Sequence, residues 1–125
     1  MDKWIIACNL KNYDIIGAFN TFTKIDWKQS NNSIQVGDEV FIYVGVPYKA
    51  VMYRCRVNKT NLKIDEINDT MFYRDSTPYK NYPFKMELEL IEKYDEKKYS
   101  LEVLKEKGLR GTIQGPRRAN DLFDE

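Results

Sequence analysis

The segment from Glu39 to Lys59 limits the fold more than any other part of the chain. Glu39 to Val46 is almost continuously apolar, and Lys49 to Lys59 alternates apolar with polar residues. Pro47-Tyr48 between them is a turn signal, so the whole segment predicts a β-hairpin. Successive side chains of a strand point to opposite faces of the sheet. One face of the second strand would carry Val51, Tyr53, Cys55 and Val57, and the other Met52, Arg54 and Arg56.

Two more segments have strand patterns. Lys3 to Cys8 is nearly all apolar, which is typical of a strand buried on both faces at the centre of a sheet. Phe84 to Tyr94 alternates regularly, which predicts a half-buried strand. Gly37-Asp38 is interpreted as a turn without a further role. In the alternating strand Met86, Leu88 and Leu90 would point inward, and Lys85, Glu87 and Glu89 outward.

Two short segments have helical patterns. Apolar residues recur at helical spacing from Tyr13 to Phe19, with Asn12 or Asp14 as the N-cap. Ser100 to Gly108 is amphipathic, begins with a capping serine and ends with a glycine suited to a helix C-terminus. Together these elements predict an α+β fold, a single domain over residues 1–125 built as a small mixed β-barrel flanked by short helices. A ligand would bind at the mouth of such a barrel, where loops converge.

The chain of 125 residues contains no histidine, and this excludes whole classes of chemistry. Ser/His/Asp and Cys/His catalysis and histidine-ligated zinc or iron all require imidazole. The acidic pairs Asp65-Glu66 and Asp95-Glu96 lie in predicted loops without a metal-binding pattern. We therefore expect a protein that is not an enzyme and that needs neither a metal nor a cofactor.

Several features favour a cytoplasmic protein. The sequence has no apolar run long enough to span a membrane and no signal-peptide pattern, so we expect no membrane partner. Cys8 and Cys55 lie far apart without metal-ligand spacing, and we expect both thiols to be reduced. Residues 1–64 carry nine Lys and Arg against five Asp and Glu, a net charge of +4 that permits an anionic partner.

Trp27 is the main candidate for ligand binding. It lies in a polar segment, Thr21 to Asn32, that is interpreted as a loop. A tryptophan there either fills the end of the core or stacks on a ligand, and composition alone favours the core. Its polar neighbours favour the ligand, because amide and hydroxyl groups read the edge of a base whose face stacks on an aromatic ring. Trp4, inside an apolar strand, is interpreted as a core residue.

Other candidates have weaker signals. Four aromatics in the polar segment 65–82 would supply a second wall for a base, or would only anchor the segment to the core: Phe72, Tyr73, Tyr79 and Tyr82. Arg117-Arg118 follows Gln114-Gly115-Pro116 in a predicted loop and would either hold phosphates or remain solvated. Arg54, Arg56, Lys28 and Lys59 would extend a basic rim, although a solvated strand face is the simpler interpretation.

The order of these parts resembles a known family. An apolar strand containing Trp4-Ile5-Ile6 is followed by a helix, by the tryptophan Trp27, and by the motif Val36 to Tyr43 that leads into the hairpin. This arrangement, over nearly the whole chain, resembles the EVE domains of the PUA-like superfamily, relatives of the YTH readers of methylated adenine. The resemblance implies a pseudo-barrel that flips a modified base of DNA or RNA into an aromatic pocket.

The resemblance also implies roles for individual residues. Trp27 matches the tryptophan that lines such pockets, and Gln29 and Ser30 match the polar residues after it. Asn9 matches a position near the pocket, and Gln114 matches a loop that closes over it. The second tryptophan of a YTH cage has no counterpart here, so Tyr73, Tyr79 or Tyr82 would replace it. Lys28, Arg117, Arg118, Arg54 and Arg56 would hold the nucleic-acid backbone.

Two alternatives stay open at this stage. The same pocket would serve a regulatory domain that binds a nucleotide or another small molecule. Similar segments are attached to nucleases in modification-dependent restriction systems, and a chain ending at Glu125 leaves no room for a nuclease. We therefore expect either a stand-alone monomeric reader or a domain that acts with an associated nuclease. The modified base would be methylated or hydroxymethylated cytosine, or methylated adenine.

Overall fold

The fold is one six-stranded mixed sheet with two short helices. The computed structural model describes residues 1–63 and 84–123, and all structural statements below concern these residues. No helix among them is both long and apolar enough to cross a membrane. The elements are β1 (Lys3–Cys8), α1 (Ile15–Thr21), β2 (Lys24–Lys28), β3 (Glu39–Val44), β4 (Ala50–Lys63), β5 (Phe84–Lys93), α2 (Leu101–Glu106) and β6 (Arg117–Arg118).

The strands follow the order β2-β5-β4-β3-β1-β6 across the sheet. β1 pairs in parallel with β3, and the other neighbours are antiparallel. The predicted hairpin is confirmed, because β3 and β4 are adjacent antiparallel strands. β1 is buried on both faces as predicted, but it lies one strand from the edge rather than at the centre. The tail was wrongly predicted as pure loop, because Arg117 and Arg118 form β6 against Ile5 and Trp4.

The curved sheet has a packed core on each face. The main core lies on the side of α1 and is closed by two tryptophans, Trp4 and Trp27. The second core lies under α2 and the C-terminal residues, where Phe123 stacks on Phe41 with ring centroids 3.8 Å apart. Alternation along β3 divides its residues between the two cores as expected. Val40, Ile42 and Val44 face the main core, and Phe41 and Tyr43 face the second.

A β-bulge corrects the predicted faces of β4. The register steps from Ile42 opposite Tyr53 to Tyr43 opposite Val51, which leaves Met52 as an extra residue. One inserted residue reverses the alternation on one side of the bulge. Val51 therefore lies in the second core, and Met52 packs against the main one. The prediction held for Tyr53, Cys55 and Val57, which share the main core.

Both helices begin with the predicted caps. The Asp14 side chain accepts a hydrogen bond from the Gly17 amide at 3.0 Å, and Ser100 accepts one from the Val103 amide at 3.3 Å. These bonds satisfy amide groups that the first helical turn leaves without partners. Gly108 follows the C-cap of α2 with φ of +111°, a conformation that glycine adopts without steric cost. Local sequence signals were sufficient for these two elements.

Lys85 was wrongly predicted to point into solvent. Its side chain is buried with 1% exposure, and its Nζ lies 2.9 Å from Oδ2 of Asp26, which is 5% exposed. Asp26 and Lys85 belong to adjacent strands, β2 and β5, two register positions apart and therefore on the same face of the sheet. Burial of either charge alone would be costly, and the ion pair compensates for it. Asp26 therefore stabilises the packing of an edge strand.

Asp38 was also predicted incompletely, because it does more than form a turn. Its buried carboxylate accepts hydrogen bonds from the indole Nε1–H of Trp4 at 2.9 Å and from the backbone amides of Asp2 and Gln35 at 3.0 Å each. Gly37 just before it has φ of +93°. The turn thus brings a carboxylate to the start of β1. There it satisfies an indole N–H that burial would otherwise leave without a partner.

The thiols provide a direct test of this packing. Cys8 and Cys55 are both buried and form no disulfide, and burial raises the pKa of the Cys55 thiol. A raised pKa keeps the group in its neutral form at pH 8, whereas the thiolate is the form that reacts. We expect both thiols to react with an aromatic disulfide reagent at least roughly a thousandfold more slowly in the folded protein than in urea. Rapid reaction of either thiol in the folded protein would contradict this core.

Candidate functional site

A small hollow lies where the two ends of the strand order approach each other. It is bounded by the end of β1, by the end of β2, and by the loop that leads into β6. In the part of the chain described, no ladder joins β2 to β1 or β6, so the hollow marks the seam of the pseudo-barrel. Its volume is about 50 Å³. It is lined by Ile6, Ala7, Trp27, Lys28, Ser30, Gln114, Gly115 and Pro116.

Trp27 was wrongly placed in a loop, since it lies in β2 opposite Met86 of β5. The polar neighbours that favoured a loop are one half of a strand alternation, in which Ile25 and Trp27 point into the core. Trp27 is 7% exposed, and the edge of its indole meets the ring of Tyr13 at 84°, with centroids 5.3 Å apart. It is both a core residue and part of the wall of the hollow.

Two of the predicted base-contacting residues lie together with Trp27. Ser30 follows β2, and Gln114 precedes β6 almost at the other end of the chain. Both line the hollow, and the Gln114 side chain is exposed. A hydroxyl and an amide therefore lie beside an indole ring. This arrangement supplies a stacking surface and hydrogen-bonding groups at one place.

Gln29 and Asn9 are occupied elsewhere. The buried Gln29 side chain accepts a hydrogen bond from the Asn61 amide at 2.7 Å and donates one to Asn61 Oδ1 at 3.2 Å. This clamp holds Asn61 at φ of +58°. The Asn9 side chain accepts a bond from the Lys11 amide at 2.9 Å within a turn after β1. Neither residue lines the hollow.

The aromatic residues proposed for a second wall fall outside the described part of the chain. Tyr73, Tyr79 and Tyr82, together with Phe72, lie between residues 64 and 83. Their predicted contribution to an aromatic cage stays a prediction.

The predicted basic residues divide into two groups. Lys28 lines the hollow. Arg117 directly follows Pro116, another lining residue, and its Nη1 donates to the Arg110 carbonyl at 2.8 Å. Arg54 forms two hydrogen bonds with the Glu39 carboxylate, at 3.0 and 2.8 Å, and Arg56 is exposed on the same strand. None of these arginines lines the hollow.

Arg118 lies over the indole ring of Trp4, 4.7 Å from its centroid, and its Nε is 3.1 Å from Oδ2 of Asp2. The hydrogen bonds from Arg118 and Asn120 lower the pKa of the Asp2 carboxyl. This contact fastens the C-terminal strand to the start of β1. Arg118 thus has a structural role that does not depend on a ligand.

The size of the hollow limits what can enter it. A water molecule takes about 30 Å³ of liquid volume, and an apolar cavity of about 150 Å³ accepts benzene. At about 50 Å³, the hollow is smaller than a nucleobase requires. A base would enter only if the loop from Gln114 to Pro116 moved outward. Ile6, Ala7 and Pro116, which complete the wall, were not predicted, because apolar and small residues carry no chemical signal in a sequence.

A second concavity lies on another part of the surface. It is an open groove of about 550 Å³ between the β3–β4 turn and α2, and its rim carries residues of both charges, including Lys49, Glu96 and Glu102. Among residues 1–63 and 84–123, no group of three or more cysteine or carboxylate side chains is arranged to hold a metal ion.

Comparison with known proteins finds similarity in structure but not in sequence. No known protein family and no curated protein matches the sequence. The ASCH protein of Zymomonas mobilis superposes with a TM-score of 0.59 and 11% identity, covering 94% of this chain and 87% of that chain. A serine-to-alanine variant of that protein gives a TM-score of 0.62 with 10% identity, covering 94% of this chain and 88% of the other.

A further solved structure supports the same conclusion. Rpa0253 of Rhodopseudomonas palustris, determined by NMR, has a TM-score of 0.55 and 10% identity, covering 86% of this chain and 72% of that chain. Identities this low establish the fold alone. The predicted fold class is thereby confirmed: the chain is an α+β pseudo-barrel flanked by short helices, a fold that it shares with the ASCH protein.

Proposed function

We propose that this chain is a nucleic-acid-binding module without catalytic activity that holds a modified base at the seam of its pseudo-barrel. One observation carries the proposal. Trp27 and Ser30, close together in the sequence, line one hollow with Gln114 from near the other end of the chain, and each was predicted to contact a base. Lys28 lines it as well, which supplies a positive charge beside the path of a phosphate backbone. A relationship to EVE domains belongs to the same proposal.

Each group has a distinct task in the proposed complex. The base stacks on the indole of Trp27, an interaction that contributes about 1–3 kcal/mol per base. The Ser30 hydroxyl and the Gln114 amide form hydrogen bonds with the edge of the base. The loop from Gln114 to Pro116 moves outward to admit the base. Gly111, at φ of +74°, precedes this loop and Gly115 lies within it, and both provide backbone freedom.

The proposal favours single strands or weakened pairs as targets. Removing a base from a duplex costs a few kcal/mol, and this cost is smallest where the base is already unpaired. Opening the seam adds to the free-energy cost of placing the base in the hollow. Contacts with phosphates therefore have to contribute, and we expect affinity to fall as salt concentration rises.

A titration with matched oligonucleotides tests the base contact. The probes are single-stranded 10-mers, because ~10 nucleotides lie within the span of one small domain. We expect Gln114→Ala to raise the Kd by roughly 2- to 12-fold, since a neutral hydrogen bond is worth about 0.5–1.5 kcal/mol. The probes carry one central cytosine, 5-methylcytosine, 5-hydroxymethylcytosine, adenine or N6-methyladenine. Gln35→Ala, which removes another exposed glutamine, is the matched control.

The outcomes of this titration are distinct. Preference of the wild type for one modified probe, reduced by Gln114→Ala and unchanged by Gln35→Ala, supports the proposal. Equal affinity for all five probes, or no binding at all, overturns modified-base recognition. Binding of the free nucleoside without any preference for the oligonucleotide, insensitive to salt, would instead identify a small-molecule-binding domain. Trp27→Ala requires a parallel measurement of stability, because this residue is also part of the core.

Lys28 provides a separate prediction about the backbone. We expect Lys28→Gln to weaken binding of modified and unmodified strands by the same factor, because a phosphate contact carries no base information. The slope of log Kd against log salt should decrease by about 0.7, the value for one phosphate contact on a single strand. Lys49→Gln, on the rim of the distant groove, is the control. An unchanged slope in Lys28→Gln would remove this residue from the interface.

A further inference from the structure

Among the residues that the structure describes, one main-chain edge of β1 continues past the end of β6 at the hollow. The Asp2 carbonyl accepts from the Glu39 amide, and the Cys8 carbonyl accepts from the Gly45 amide. In a parallel ladder, alternate residues direct both their N–H and their C=O to the same neighbour. Even-numbered residues of β1 therefore bond to β3. Lys3, Ile5 and Ala7 present their N–H and C=O groups to the opposite side.

Two of these three residues have partners on that side. The Lys3 carbonyl accepts a hydrogen bond from the Ala119 amide at 2.8 Å, and Ile5 pairs with Arg117 of β6. Continued by two residues along each strand, the ladder would pair Ala7 with Gly115. β6 has ended by then, and within residues 1–63 and 84–123 no main-chain bond joins Ala7 to Gly115. The half-buried Ala7 and the exposed Gly115 instead both line the hollow.

We propose that the main-chain N–H and C=O of Ala7 bind the edge of the base that enters the hollow. This inference rests on the proposed function and specifies its ligand. A strand residue whose N–H and C=O face the same side offers a donor beside an acceptor, the pair that joins antiparallel strands. Cytosine and adenine present the complement, an exocyclic amine beside a ring nitrogen acceptor. The amine donates to the Ala7 carbonyl, and the ring nitrogen accepts from the Ala7 amide.

This geometry predicts which modifications are tolerated. The carbonyl needs one N–H from the amine, so a base with a single methyl group on its amine still binds. A second methyl group removes the last donor, and it leaves the Ala7 carbonyl without a partner. A methyl or hydroxymethyl group on the ring carbon of cytosine lies away from this pair of contacts. The site is therefore specific for amino-bearing bases that retain at least one amine hydrogen.

The main-chain contact can be removed without altering a side chain. Replacing Ala7 by lactic acid through semisynthesis converts its amide N–H to an ester oxygen and keeps the methyl group. The bonds of β1 to β3 are made by Ile6 and Cys8, so the ladder is retained. We expect the Kd for the 10-mers with 5-methylcytosine or N6-methyladenine to rise on the order of tenfold. An amide-to-ester substitution at Glu96, in an exposed loop, made with the hydroxy acid that keeps the glutamate side chain, provides the control.

A ligand-side experiment completes the test. The 10-mer with N6,N6-dimethyladenine should bind the wild type on the order of tenfold more weakly than the one with N6-methyladenine. Amide exchange of the free protein should be faster at Ala7 than at Ile6 and Cys8, and probe binding should slow it. The inference is overturned if the wild type binds while the ester at residue 7 leaves the Kd unchanged, or if Ala7 exchanges as slowly as its neighbours. Failure of the wild type to bind any probe would overturn the proposed function itself.

Discussion

Lys85→Met is expected to lower the free energy of unfolding by about 3–5 kcal/mol. The substitution keeps most of the length of the side chain but removes the ammonium group 2.9 Å from the Asp26 carboxylate. Asp26 is buried, so its charge would lose this ion pair without regaining water. Equilibrium unfolding in urea, followed by tryptophan fluorescence, measures the loss. β2 should be the first element affected, because Asp26 lies on that edge strand.

The double variant Asp26→Leu/Lys85→Met distinguishes the ion pair from packing. Apolar residues of similar volume often replace a buried ion pair at no net cost, so the double variant should recover most of the stability. Asp2→Asn is the matched control, since it breaks the exposed ion pair with Arg118, which solvent screens, and should lower the stability far less than Lys85→Met. Equal losses in Lys85→Met and Asp2→Asn would show that the buried pair has no special role. A double variant less stable than either single one would indicate a defect in packing.

Asp38→Ala is expected to lower the free energy of unfolding by about 3 kcal/mol or more. The carboxylate accepts three hydrogen bonds, and hydrogen bonds to charged groups contribute about 1.5–3 kcal/mol each. Its removal leaves the indole N–H of Trp4 buried without an acceptor. The same urea titration measures the total effect. The ¹H–¹⁵N signal of the Trp4 indole reports the local one, and it should move upfield when the hydrogen bond is lost.

A cap residue provides the control for Asp38. Asp14→Ala also removes a carboxylate that accepts a backbone hydrogen bond, in this case from the Gly17 amide at the start of α1. It should cost about 1 kcal/mol. If Asp38→Ala costs no more than Asp14→Ala, the three bonds of Asp38 do not act together. An indole signal that stays in place would show that Trp4 does not depend on Asp38.

The sequence predicted those elements whose signals are local. The hairpin of β3 and β4 follows from two strand patterns and a turn, and both helix caps lie within three residues of the amides they satisfy. β2 was missed even though Lys24 to Lys28 alternates regularly, because its five residues are dominated by polar types. The same error placed Trp27 in a loop. Apolar and polar residues do alternate with a period of two along β2, but the alternation covers only five residues and lies among polar neighbours, so it was not recognised as a strand.

The candidate site was predictable only in part. Trp27, Ser30 and Gln114 were named from residue chemistry and family resemblance, and the structure places them at one hollow. Gln29, next to Ser30 in the sequence, instead faces Asn61, because adjacent residues of an extended chain point to opposite sides. The position of the main-chain N–H and C=O of Ala7 at the hollow could not be predicted from the sequence at all. It depends on where β6 ends, and main-chain groups are the same in every residue.

The sequence by itself determined the number of apolar strands, the hairpin, the helix caps and the absence of imidazole chemistry. These properties depend on residue identity and on separations of a few positions. Only the tertiary structure decided that Lys85 and Asp38 are buried, that a bulge turns Val51 to the second core, and that the seam lies between β2 and β1. Each of these depends on contacts between distant segments, where strand pairing sets the partners of a side chain. Periodicity along the chain carries no information about that pairing.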